Sequence, residues 1–154
     1  MATGAQAVAE LGMDRLLDRQ LEALARVLEL LGDEHDALLR RDVAGLELVT
    51  GSKTEALARA DELERGRLAM APTLSDMERY AQDPAIGARW DRLLDLTRQC
   101  RERNDANGRL IRRQQARVES ALGLLRGDAA EGDRDVYGPD GGQRRGSRSP
   151  LASV

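Results

Sequence analysis

From residue 10 to about 40, apolar side chains return on a helical beat. Leu17, Leu21, Leu24, Leu28, Leu31, His35 and Leu38 are spaced 4, 3, 4, 3, 4 and 3, a heptad row interrupted only by His35. Leu16, Val27, Leu30 and Leu39 widen the apolar face. A face of that width suits a bundle with several neighbours better than a two-stranded coiled coil. The row ends at "RRDVAG", residues 40–45, which reads as a turn.

A second helix is expected over about 46–70, with Leu46, Val49, Leu57, Ala60, Leu63 and Leu68 as its apolar positions. "TGSKTE" interrupts it. Ser52 with Glu55 forms a capping-box pattern, so the helix is expected to kink or restart near Gly51. Residues 70–87 are less regular. Ser75 with Glu78 is placed as the cap of a short helix near 73–82, and Asp83-Pro84 as the N-cap and first residue of the next helix.

The third long helix is expected over 84–126. Its heptad row is Ile86, Trp90, Leu93, Thr97, Cys100, Asn104, Asn107, Ile111, Gln114, Val118, Ala121 and Leu125. Both ends of the row are apolar and its middle is polar. The middle belongs to "NDANGRLI", residues 104–111, where Asn-Gly would suit a hairpin turn, but no strand signal flanks it. Asn104 and Asn107 are therefore read as inward-facing residues that fix register. Gly108 is read as a point where another backbone can approach. The fold class that follows is all-α: an antiparallel bundle of three long helices with a short extra helix.

The last helix also carries surplus apolar surface. Ile111, Val118, Leu122 and Leu125 form one stripe, and Leu110 and Leu124 lie on another azimuth. A helix with two stripes calls for a partner. A fourth packed element, a homodimer and a heterologous partner are all open at this point.

After Arg126 the chain changes character. Residues 127–154 hold six Gly, two Pro and clustered charge, so a flexible, disordered tail is expected. Within it "DVYGPDGG" surrounds Tyr137 with turn formers and reads as a short docking element. The organisation is thus a flexible N-terminus over 1–9, a helical domain over 10–126 and the tail.

Composition supports this picture and thins the list of functions. There are 24 Leu, no Phe, one Trp and two Tyr, the profile of long helices. The net charge of −3 argues against nucleic acid as the main partner, and no aromatic platform accompanies the Arg-rich pieces at 112–117 and 144–149. The only His, His35, and the only Cys, Cys100, both fall on apolar rows and read as packed side chains. The carboxylates are read as solvated, no Glu-x-x-His motif or P-loop occurs, and neither an enzyme nor a cofactor is expected. One Cys allows no internal disulfide. No signal-peptide pattern and no apolar run near 18 residues are present, so a cytoplasmic protein without membrane insertion is expected.

"ERNDANGRLIRRQQARVESALGLLRG", residues 102–127, followed by "VYGPDGG", 136–142, resembles the C-terminal half of the flagellar export chaperone FlgN family. "LLDRQLEALARVLELLGDEHDALLRRDVAGLELVTGSKTEAL", residues 16–57, is similar to the family's N-terminal half. The likeness spans roughly 10–142. Gly51 departs from it, and the family pattern does not extend past Gly142. The resemblance implies a cytoplasmic helical chaperone for hook-associated proteins, whose amphipathic C-terminal segments it would shield and deliver to the type III export gate. It implies that the Asn-Gly stretch marks the entry to a client-binding helix; the surplus apolar residues Leu110, Ile111, Val118, Leu122, Leu124 and Leu125 are then expected to bind the client. It implies docking of Tyr137 on the export-gate protein FlhA. A structural homodimer and a secretion chaperone for another client are the competing readings.

Overall fold

A computed structural model describes residues 12–127. Four helices account for nearly all of them: α1 (Met13–Arg40), α2 (Val43–Met70), α3 (Leu74–Tyr80) and α4 (Pro84–Arg126). The expected all-α class holds over these residues, and no strand occurs among them. The chain divides into two compact units after Arg113.

Helix α1 sends two rows of side chains inward. Leu16 packs on Leu63 of α2, and Gln20 donates to Glu64 at 2.9 Å. Fourteen residues after Gln20, on the same row, Glu34 receives Lys53. The pairings run in opposite senses, so α1 and α2 are antiparallel. The expected row serves α4 instead. Leu17 clusters with Leu93, Leu24 accepts from the Cys100 thiol at 3.6 Å, and the Leu31 carbonyl accepts from Asn107 at 2.9 Å. Here both numbers rise together, so the part of α4 up to Asn107 runs in the same direction as α1. Leu16, Val27 and Leu30 are buried as the wide face requires. Leu39 is not: it lies exposed beyond the packed rows.

The α1–α2 turn is two residues long. Arg41 takes the left-handed conformation at φ 55°, and the Asp42 amide reaches back to the Ala37 carbonyl at 3.0 Å. This closes the helix in a Schellman arrangement with arginine at the site that usually holds glycine. Asp42 then caps α2, accepting from the Gly45 amide at 2.9 Å. A Cβ at position 45 would collide with that carboxylate, which is why glycine stands there.

Two local expectations are corrected. Helix α2 passes through Gly51 and Ser52 without a break, and its start is Asp42, so the Ser52–Glu55 cap does not form. A lone glycine costs a helix about 1 kcal/mol, less than a break in a 28-residue helix would forfeit. The short helix is capped by Thr73 and Asp76, not by Ser75 and Glu78. Asp76 N donates to Thr73 Oγ1 at 3.1 Å while Thr73 N donates to Asp76 at 3.0 Å. This start places Met77 fully in the core beside Met13, Leu17, Ala71 and Leu93. Asp83 caps α4 as expected, accepting from the Ala85 amide at 2.8 Å, with Pro84 the first helical residue.

Arg67 locks the end of α2. It is buried, grips Glu64 with two nitrogens, donates to the Ala71 carbonyl at 3.3 Å and lies over the Trp90 ring 5.1 Å from its centroid. Planar guanidinium geometry permits all of these at once.

Candidate functional site

The middle of α4 is where the polar residues of its row meet α1. Asn107 is 1% exposed and uses every part of its amide. Its nitrogen donates to the Leu31 carbonyl and to Glu34 Oε2, both at 2.9 Å. Its oxygen must then accept from His35 Nδ1, also at 2.9 Å, which assigns the Nδ1–H tautomer to that ring. Glu34 is buried in turn and is answered by Lys53 of α2. One polar layer thus ties α1, α2 and α4 together at a single level.

Asn104 does not share this role. It is exposed, and the inward reading of it is corrected. The buried residues of α4 are Leu93, Cys100 and Asn107, one every seven residues. Gly108 also differs from expectation. Among the described residues, only Arg112 Nη1, at 3.4 Å, lies within 4 Å of where a Cβ would stand, and no backbone of another element approaches it. The reading of all carboxylates as solvated is corrected at Glu34. A signal for it existed: Met13, Leu16, Gln20, Ala23, Val27, Leu30, Glu34 and Ala37 form a second row spaced 3 and 4, and Gln20 and Glu34 sit on it.

Cys100 is buried, and burial pushes its thiol pKa up, which keeps the sulfur protonated and unreactive. Among the described residues, no three His, Cys, Asp or Glu side chains gather closely enough to hold a metal ion. No described helix is long and apolar enough to cross a membrane.

The last thirteen residues of α4 have a different surface. Val118 is 59% exposed, Leu122 42%, Leu124 70% and Leu125 83%. Val118, Leu122 and Leu125 follow one another at i+4 and i+3, so they form one row on the helix. Leu124 stands off that row, and Leu110 and Ile111, one to two turns earlier, are half-buried. Arg112, Arg113 and Arg117 are exposed along the same stretch. Solvent-exposed leucines in series on a helix bring a cost in water that a second apolar surface would relieve. Tyr137 lies outside the described residues.

A family model described as FlgN protein matches residues 13–145. Two curated relatives, each named "Flagella synthesis protein FlgN", align over 127 residues, covering 81% of this chain and 84% of their own. One, from Yersinia enterocolitica serotype O:8 / biotype 1B, is 31% identical. The other, from Yersinia enterocolitica, is 30% identical. No solved structure matches the chain. The matched span takes in the α1–α2 hairpin, the polar layer and the exposed leucine row alike, and the chain belongs to the FlgN family.

Proposed function

We propose that this protein is a cytoplasmic chaperone of flagellar type III export. It binds the C-terminal segments of hook-associated proteins, prevents their premature assembly and hands them to the export gate. The observation that carries this reading is the exposed row Val118, Leu122 and Leu125 on a preformed helix, flanked by Leu124. Such a row is what an amphipathic client segment needs in order to fold against a partner. Leu110 and Ile111, half-buried, extend the surface toward the N-terminal end of the helix. Binding energy alone holds the client, so no cofactor enters. Tyr137 serves as the contact to the gate protein FlhA, the reading that its setting in the sequence "DVYGPDGG" supports.

The test is calorimetric titration of the chain with the C-terminal segments of hook-associated proteins. The Leu122→Ala/Leu125→Ala variant should bind at least tenfold more weakly, the loss of about 1.4 kcal/mol or more that hot-spot truncation produces. Its thermal stability should stay close to wild type. A melting temperature that drops while client affinity holds would assign these leucines to the fold and overturn the proposal. Tyr137→Ala should leave client affinity alone and weaken binding to the cytoplasmic part of FlhA.

A further inference from the structure

The end of α4 pairs its exposed leucines with exposed arginines. Val118, Leu122 and Leu125 make a row along one helix, so the surface they present is convex. At 3.6 residues per turn, Arg117 and Arg126 stand on opposite sides of that row, each roughly 70–110° from its centre. The short side chains of Ala116, Ser120 and Gly123 take the far side. Arginines that flank an apolar row can lay their methylenes along it and hold their guanidinium groups at a polar boundary. This is the pattern of a helix that lies in an interface between apolar and aqueous phases.

Charge selects the kind of interface. Residues 109–126 carry Arg109, Arg112, Arg113, Arg117 and Arg126 against Glu119, a net of +4 in a chain whose net is −3. The rest of the chain therefore sums to −7. All five arginines are exposed, and none of them forms an ion pair among the described residues. An anionic surface attracts this helix and repels the remainder, which orients the approach. We infer that the end of α4 binds an anionic phospholipid surface, with its leucines at the acyl boundary and its arginines on the headgroup phosphates. The contact is peripheral and reversible, since no described helix is long and apolar enough to cross a membrane. Nucleic acid would satisfy the arginines but leave the leucines in water. Lipid and client would use the same row and exclude one another. That consequence rests on the client-binding reading; the lipid contact itself does not.

Vesicle flotation of the full chain reads the result, with vesicles of phosphatidylcholine alone and of phosphatidylcholine with about 30% phosphatidylglycerol, which supply a negative surface potential. The chain should float with the anionic vesicles, less so with added salt, and not with the neutral ones. Arg112→Gln/Arg113→Gln/Arg117→Gln/Arg126→Gln should weaken that binding by roughly tenfold or more. The matching four Arg→Lys changes should retain it, because the charge is kept. Leu122→Ser/Leu125→Ser should weaken it as well, with helicity checked by circular dichroism. Wild type that ignores anionic vesicles, or that binds them equally with the arginines replaced by glutamine, overturns the inference. Binding to poly(U) RNA as strong as to vesicles, with the serine variant indifferent in both, would assign the arginines to nucleic acid and also overturn it. Wild type that binds client but not vesicles would overturn it alone and leave the proposed function standing. Vesicle binding without client binding would do the reverse.

Discussion

Asn107→Ala should cost this protein more stability than any surface substitution on the same helix. The side chain makes three hydrogen bonds, to the Leu31 carbonyl, Glu34 Oε2 and His35 Nδ1. The two neutral ones contribute about 1 kcal/mol each and the one to a carboxylate about 1.5–3. Glu34 keeps Lys53, so its charge is not left bare. Alanine returns about 0.5 kcal/mol of helix propensity. The balance is a loss of about 3–4.5 kcal/mol, a large share of the 5–15 kcal/mol typical of a small domain. Urea unfolding followed by circular dichroism measures it directly. Asn104→Ala is the internal control. It removes an exposed amide from the same heptad row and should change stability by no more than about 0.5 kcal/mol. An Asn107→Ala loss below about 1 kcal/mol, or equal effects at the two asparagines, would refute the polar layer as a determinant of the fold.

Three further outcomes follow from local geometry. Arg41→Gly should raise stability by about 0.5–1 kcal/mol in the same urea assay, because a left-handed residue with a Cβ is strained and glycine is not. Cys100 should resist alkylation by iodoacetamide in the native state and react only as the chain unfolds, since its thiol is buried with a raised pKa. The hydrogen bond from Arg67, helped by Gln20, holds Glu64 below its ordinary 4.5, so the folded state binds fewer protons there than the unfolded state. That stabilisation is present above pH 4.5 and lost as pH falls through the folded value. Wild type should therefore lose its advantage over Glu64→Gln in urea midpoint as pH falls from 7 to 3.

How far the fold could be read in advance depended on how many neighbours each helix has. The α1 rows were legible because two partners bury two stripes of regular spacing. In α4 the heptad row promised two inward positions per seven residues, and the structure buries one: Leu93, Cys100, Asn107. Successive positions of such a row fall on either side of its centre line, so a helix packed on one partner buries one side and leaves the other nearer solvent. Asn104 is on the side nearer solvent. The expected cap of the short helix was Ser75 with Glu78, and the box that forms is Thr73–Asp76, two residues earlier. The earlier start is the one that buries Met77. Gln20 and Glu34 escaped notice for a different reason: polar residues on an apolar row look like interruptions until their partners, Glu64, Lys53 and Asn107, are seen across the interface.

The exposed leucine row depends on the buried part of its own helix. Thirteen residues are too few for a stable isolated helix in water, because nucleation is unfavourable and the segment ends before propagation repays it. Residues 114–126 are helical as the continuation of α4, whose earlier turns are anchored by Leu93, Cys100 and Asn107. Under the proposed function, a client would meet a preformed surface and be spared the entropy of ordering it. Arg113→Pro tests this coupling. Arg113 is exposed, so nothing in the core is disturbed. Proline removes its amide from the helix ladder and clashes with the turn before it, about 3 kcal/mol against continuity at that point. Circular dichroism should lose the helicity of roughly one short segment, three to four turns. Cooperative unfolding of the anchored part should stay near wild type. Client affinity should fall tenfold or more as the ordering cost returns to the binding step. Helicity that drops while client affinity is unchanged would refute the coupling, because the client would then be ordering the leucine row for itself.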